Sequence, residues 1–144
     1  MPDYPPLICG IDPGASGGIA FVGDGFAEAH KMPETRRDVV ELIENYRPAI
    51  VLAYVERVRS TPQMGVVSAF TFGCNYERAV MALLCAGIPI EEVTPQKWQK
   101  GLGCLTGGDK NVSKARAQQL FPHLKITHAI ADALLIATYG RRQS

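Results

Sequence analysis

One uninterrupted apolar run, residues 49–55, restricts the possible folds of this 144-residue chain more than any other feature. A strand with one face in water alternates apolar and polar residues, whereas a continuous apolar run is typical of a central strand. The run ends at Glu56. We therefore expect a sheet with helices packed against it, and an acidic side chain at the end of a central strand.

The spacing of apolar residues and turns predicts the element order βββαβαβαα. The predicted strands are 7–12, 18–22, 26–30, 49–55 and 88–93, and the predicted helices are 35–46, 66–86, 111–121 and 127–139. Short turns make the first three strands an antiparallel meander. Because a helix separates the fourth strand from this meander, a right-handed crossover places it parallel to the first strand. The result is an α/β three-layer domain with a mixed sheet.

Small residues and prolines mark the expected helix ends. Thr94 followed by Pro95 is typical of a helix start. Gly73 suggests an interruption of the long apolar helix, and Gly140 is expected to cap the last helix.

Composition indicates a single globular domain over residues 1–144, with 47% hydrophobic and 20% charged residues. No apolar stretch reaches the roughly 18 residues that a membrane span needs, and the N-terminus lacks a signal-peptide pattern. We therefore expect no membrane partner and a cytoplasmic location. The four cysteines form no C-x-x-C pair, so we expect reduced thiols.

The net charge of +1 conceals an asymmetry along the chain. Residues 1–92 carry 7 basic and 12 acidic side chains, whereas residues 93–144 carry 8 basic and 2 acidic ones. A basic second half can attract phosphates, although scattered surface lysines and arginines also serve solubility.

Three acids are candidates for one site. Asp12 joins an apolar strand to the glycine-rich turn 13–18, where a ligand can approach the backbone closely. The parallel arrangement brings Asp12 and Glu56 to the same sheet edge. Asp132 lies in an apolar helix, where an unpaired carboxylate is costly, and His128 shares its helix face. If that face meets the strand ends, three acids and an imidazole converge.

Crowded carboxylates repel one another, and a divalent cation relieves the repulsion. Hard oxygen ligands suit Mg²⁺ or Mn²⁺, and two such ions can support phosphodiester cleavage. Each residue also has a simpler interpretation. Asp12 can cap a turn, Glu56 can pair with Arg57 or Arg59, and Asp132 can pair with a basic residue of the preceding helix. His128 can cap or pack its helix.

An ordered set of motifs carries a family resemblance. The motifs are Ile11-Asp12-Pro13-Gly14 with Ser16-Gly17-Gly18, Tyr54-Val55-Glu56, Phe70-Thr71-Phe72-Gly73, and the segments 93–98 and 131–137. Over about residues 7–142 the set resembles RuvC-like Holliday junction resolvases, most closely the phage-type branch. The resemblance implies an RNase H-like fold and a homodimer. It also implies Mg²⁺-dependent cleavage of branched DNA that leaves 5′-phosphate ends, within a bacterial host cell if the chain is phage-encoded.

The resemblance places the three catalytic and metal-binding acids on Asp12, Glu56 and Asp132. Many relatives have a fourth acid three residues before the last one, where this chain has Ala129. The preceding residue, His128, is the candidate substitute, because some relatives use a histidine near this position. Neutral imidazole is a poor Mg²⁺ ligand, so His128 can instead orient water or contact the scissile phosphate.

Further residues are assigned to DNA binding. Arg57, Arg59 and Gln63 follow the catalytic strand, and Lys110, Lys114 and Arg116 begin the basic helix after the glycine-rich loop. A solvated helix face is the alternative for the second group. Phe70, Phe72 and Tyr76 can stack on unpaired bases at a branch point, or can belong to the core or to a dimer contact.

Two other functions compete with a nuclease. The opening motif also fits the phosphate-binding hairpin of sugar kinases and actin-like ATPases, although those proteins close two lobes around ATP and would leave Glu56 and Asp132 without a joint role. A junction-binding protein that keeps the fold without cleaving DNA is the second alternative, and Ala129 keeps it open.

Overall fold

The structure, a computed structural model, describes residues 3–57 and 62–143. Its strands are β1 Leu7–Asp12, β2 Gly18–Gly23, β3 Phe26–Lys31, β4 Ile50–Glu56 and β5 Ile90–Val93. Its helices are α1 Arg36–Tyr46, α2 Val66–Cys85, α3 Pro95–Gly101, α4 Lys110–Leu120 and α5 His128–Arg142, with a 3₁₀ turn at Arg47–Ala49 before β4.

The five strands form one mixed sheet in the order β3-β2-β1-β4-β5. The pairs β1–β2 and β2–β3 are antiparallel, and β1–β4 and β4–β5 are parallel. In the parallel register Ile11 lies opposite Val55, so β1 and β4 end side by side. The predicted meander, the parallel crossover and the mixed sheet are confirmed.

Helices cover both faces of the sheet, because successive strand residues point to opposite sides. One face carries Cys9, Ile11 and Phe21 against α1 and α2. The other carries Ile8 and Val22 against α3, α4 and α5. This is the three-layer α/β architecture that the sequence predicts.

Helix α5 packs unusually close to the sheet. A Cβ atom built on Gly10 would lie 2.4 Å from the carbonyl oxygen of Ala133, and one built on Gly18 would lie 2.6 Å from that of Ala129. Real side chains do not tolerate such distances, so only glycine fits at these strand positions. The contact brings the first turns of α5 onto the ends of β1 and β2.

Three expectations about helix boundaries are wrong. Helix α2 continues through Gly73, because one exposed glycine costs a helix only about 1 kcal/mol. Gly140 does not cap α5 but lies inside it, where a Cβ would meet the Tyr54 ring at 2.5 Å. The predicted order has two helices after β5, whereas the structure has three, because glycines with positive φ separate α3 from α4 and Asp109 caps the start of α4.

Within residues 3–57 and 62–143, no helix is both long enough and apolar enough to cross a bilayer.

Candidate active site

The candidate site is a cleft of about 500 Å³ at the edge of the sheet where β1 and β4 end. Its walls come from the turn after β1, the end of β4 and the first turns of α2, α4 and α5. The lining includes Asp12, Gly14, Ser16, Glu56, Met64, Ser68, Phe72, Lys110, Ser113, His128 and Asp132. The three acids and the histidine singled out in the sequence therefore line one cavity.

Asp12 is held by the glycine-rich turn that follows it. Its Oδ1 accepts a hydrogen bond from the backbone N–H of Gly14 at 3.1 Å. Asn75, buried in the apolar helix α2, donates a long 3.5 Å bond to the carbonyl of Gly14 and ties that helix to the turn. The turn-capping interpretation of Asp12 is thus correct, and the same carboxylate also faces the cleft.

Glu56 is 7% exposed and receives a hydrogen bond from a buried indole. The Nε1–H of Trp98 donates to its Oε2 at 2.7 Å. The local fold explains the contact, because Val93 lies opposite Glu56 in the β4–β5 register and α3 begins two residues later, at Pro95. Glu56 is therefore not a solvated strand end.

Asp132 projects from α5 toward α4. The Ser113 hydroxyl, Lys110 and His128 each lower its pKa, but burial outweighs them and raises the pKa overall. The two ion pairs among the described residues, Arg47–Glu44 and Arg57–Glu92, involve none of the three acids. The interpretation of Asp132 as half of a salt bridge finds no support there.

Burial and mutual repulsion disfavour the charged forms of these acids. Burial raises the pKa of Asp12 to about 6, and the charge of Asp132 adds to the rise. Burial raises the pKa of Glu56 to about 8, assisted by Asp12 and Asp132 and opposed by the Trp98 hydrogen bond. Such shifts in a cleft are typical of functional sites.

His128 is the first residue of α5, and its exposed side chain lines the cleft. Ala129 lies next to it, with its carbonyl oxygen pressed over Gly18 and outside the lining of the cleft. His128 therefore presents its imidazole to the acids, whereas Ala129 packs α5 against the sheet.

The residues assigned to DNA binding separate into groups. Lys110 lines the cleft, whereas Gln63 is exposed and Lys114 half-buried outside it. Arg116 is half-buried, and its Nε–H donates to the Leu102 carbonyl at 3.0 Å. Arg57 pairs with Glu92 at 3.4 Å, and Arg59 lies outside the described residues.

The three aromatic residues of α2 have three different environments. Phe72 lines the cleft and lies parallel to Tyr76, with ring centroids 6.4 Å apart. The Tyr76 hydroxyl donates a hydrogen bond to Glu92. Phe70 is 73% exposed and lies outside the cleft lining. Of the three, Phe72 is placed to meet a ligand of the acids.

The donor chemistry of the cleft fits a hard divalent cation. Three carboxylates share one cavity, and repulsion among them raises the pKa values of Asp12 and Glu56. A bound cation would remove that repulsion. In the part of the chain that the structure describes, no three His, Cys, Asp or Glu side chains are yet close enough to hold one ion. A change in the relative positions of the acids would therefore accompany binding.

Sequence reasoning missed three residues that support the acids: Trp98, Ser113 and Asn75. A buried asparagine in an apolar helix and the only tryptophan of the chain were the available signals. Neither signal identifies its partner, because both contacts join residues far apart in sequence. Ser113 gave no signal, since a serine in a basic helix is ordinary.

Comparison with solved structures finds the same fold in RuvC of Thermus thermophilus. Its structure in complex with a Holliday junction substrate matches with a TM-score of 0.67 and 19% identity, over 96% of this chain and 96% of that one. A second T. thermophilus RuvC structure gives a TM-score of 0.68 and 20% identity, over 95% and 96%. No family profile and no curated protein matches the sequence. The chain has a RuvC-like, RNase H-like fold, as its motifs predicted.

The buried acids predict an unusual pH dependence of stability in the absence of metal. The folded-state pKa of Glu56, about 8, lies above its ordinary value of 4.5, so the native state holds a proton that the unfolded state loses. The free energy of unfolding in EDTA should therefore fall as pH rises through this window. Urea titrations at about pH 5 and about pH 9 measure the fall.

The Glu56→Gln variant should reduce this loss of stability, because its neutral amide cannot ionise. Glu41→Gln, an exposed acid on α1, is the matched control and should follow the unaltered protein. Stability of the unaltered protein that rises between the two pH values would contradict the prediction.

Proposed function

We propose that this chain is a divalent-metal-dependent endonuclease that cleaves Holliday junctions and other branched DNA by phosphodiester hydrolysis, leaving 5′-phosphate ends. The observation that carries the proposal is the convergence of Asp12, Glu56 and Asp132 in one cleft, without an ion pair to any of them among the described residues. The likeness to a RuvC solved with a Holliday junction substrate supports the choice of DNA.

Asp12, Glu56 and Asp132 would hold Mg²⁺, with Mn²⁺ as a substitute, and the bound metal would activate water and stabilise the leaving oxygen. The chain itself orients these ligands. The Gly14 N–H fixes one oxygen of Asp12, and the Ser113 hydroxyl lies beside Asp132.

Lys110 and His128 are the residues that would meet the DNA phosphate at the acids. The ammonium group of Lys110 lines the cleft near both Asp12 and Asp132, where it can attract a phosphate oxygen. His128 also lines the cleft, where it can orient water or contact the scissile phosphate. Phe72 would stack on a base next to the cleaved bond.

We further propose that the chain acts as a homodimer through α2. The exposed large apolar side chains of this helix are Val66, Val67, Phe70, Met81 and Leu84. A patch of this kind on one helix marks an interaction surface. We assign this α2 surface to a second copy of the chain, because a two-fold axis would place two clefts against two strands of a four-way junction. The phage-type origin and the cytoplasmic location stay predictions.

Purified protein with Mg²⁺ or Mn²⁺ is expected to nick a synthetic four-way junction. Asp12→Asn should abolish cleavage and leave junction binding intact, because it removes a metal ligand and no phosphate contact. Denaturing gels measure cleavage, and mobility shifts in EDTA measure binding. Asp24→Asn, which makes the same charge change in the exposed turn between β2 and β3, is the control and should cut normally.

The alternatives give different results in the same assays. Binding without cleavage in either metal would favour the junction-binding protein that does not cut. ATP hydrolysis without DNA binding would favour the kinase-like phosphate hairpin. Either outcome would contradict the proposed nuclease.

Lys110→Ala should weaken junction binding and lower the slope of log Kd against log salt by about 1, because one phosphate contact is lost. Binding titrations at several salt concentrations in EDTA give the slope. Arg142→Ala removes an equal charge near the other end of α5, roughly 20 Å from the cleft at the helical rise of about 1.5 Å per residue, and should keep the slope. Equal slopes for both variants would exclude Lys110 from DNA contact.

The α2 surface predicts the mass of the assembly. Sedimentation of the unaltered protein should give twice the 15.6 kDa of one chain, and Phe70→Asp should shift it toward one chain, because a charge would be buried in the interface. Leu105→Asp alters an apolar side chain that is 60% exposed outside α2, and should leave the dimer intact. A monomeric unaltered protein would contradict this arrangement.

A further inference from the structure

We propose that Trp98 is a positioning residue that fixes the orientation of the Glu56 carboxylate toward a bound metal, and that its indole reports whether the cleft is occupied. This inference rests on the proposed function, because it assigns Glu56 a metal to hold. It concerns a contact that lies behind the cleft, since Trp98 itself does not line it.

The hydrogen bond from Trp98 occupies one oxygen of the Glu56 carboxylate. An indole N–H donates a hydrogen bond and cannot accept one, so its partner must be an acceptor. The 2.7 Å bond from Nε1 engages Oε2 of Glu56. Both side chains are buried, with Trp98 at 0% and Glu56 at 7% exposure, so water does not compete strongly for that oxygen. The other oxygen, Oε1, is left for a ligand.

The same hydrogen bond limits rotation of the Glu56 carboxylate. Glutamate has three rotatable side-chain bonds, and its carboxylate can turn freely about the last one. The indole removes that freedom, because Trp98 belongs to a buried cluster with side chains of the sheet, α4 and α5 and cannot follow a rotating carboxylate. Glu56 therefore has a fixed orientation although it is at the end of a strand.

Glu56 differs from Asp12 in the part of the chain that supports it. Asp12 is oriented by a backbone N–H two residues away, so the turn itself builds its support. Glu56 has a distant partner, 42 residues further along the chain. Among the hydrogen bonds found in the described residues, Trp98 alone contacts a Glu56 side-chain oxygen. Contacts of this kind behind a metal ligand typically change affinity or activity by about 10- to 100-fold.

The test uses the fact that Trp98 is the only tryptophan of the chain. Replacement of tryptophan by β-(3-benzothienyl)alanine in an auxotrophic host exchanges the N–H for sulfur and keeps the size of the ring system. Protein labelled with 5-fluorotryptophan in the same host is the matched control, because it keeps the donor. Calorimetric titration with Mn²⁺ alone measures affinity, and urea unfolding confirms that both proteins are folded.

We expect the benzothienyl protein to bind Mn²⁺ about 10- to 100-fold more weakly than the fluorotryptophan protein. Equal affinities would overturn the role of Trp98 and leave the proposed nuclease standing. Absence of Mn²⁺ and Mg²⁺ binding by the unaltered protein would overturn both, so the two failures are distinguishable.

A second measurement keeps the N–H donor of Trp98 in place. It tests the proposed role of Trp98 even if the benzothienyl protein fails to fold. The single fluorine resonance of the 5-fluorotryptophan protein should shift during a titration with diamagnetic Mg²⁺, with the midpoint that calorimetry gives. Asp24→Asn should show the same shift, because it lies outside the cleft. A resonance that stays fixed while calorimetry detects binding would overturn the proposal.

Discussion

Repulsion among three carboxylates withdrawn from water is the constraint on which the rest of the cleft depends. Asp12, Glu56 and Asp132 raise one another's energy when charged, and burial adds to the penalty. A stable fold must hold them by other contacts. Asp12 accepts a hydrogen bond from a backbone N–H, Glu56 accepts one from a buried indole, and Asp132 lies beside Ser113 and Lys110. The fold accepts lower stability at this edge, as functional sites often do.

Much of the fold could be predicted because its signals are local. Apolar runs and glycine turns gave the five strands, and the crossover rule placed β4 beside β1, which in turn placed Glu56 beside Asp12. His128 and Asp132 could be grouped because helical spacing alone puts them on one face. Their convergence on the strand ends was a hypothesis, and the structure brings the four side chains to one cleft.

The remaining features depend on contacts between distant segments, which no local pattern encodes. Gly140 has the sequence position of a cap, but its role is to let α5 approach the Tyr54 ring. Arg116 has the charge expected of a DNA contact, yet it satisfies the Leu102 carbonyl. Trp98 appeared as part of a helix start, and only the register of β5 reveals that it reaches Glu56. The helices and strands could largely be predicted, but the contacts of individual side chains could not.

The position of Gly140 has a consequence for sequence variation. It lies eight residues beyond Asp132 on the same helix, about 12 Å along the axis, where α5 touches Tyr54 and Ile8. A larger residue there would displace α5. Because a helix is stiff, the displacement would also move its first turns, which carry Asp132. A mutational scan would then record inactive variants at a position that contacts no substrate. Substitutions along α5 should therefore be poorly tolerated even at positions that lie far from the acids.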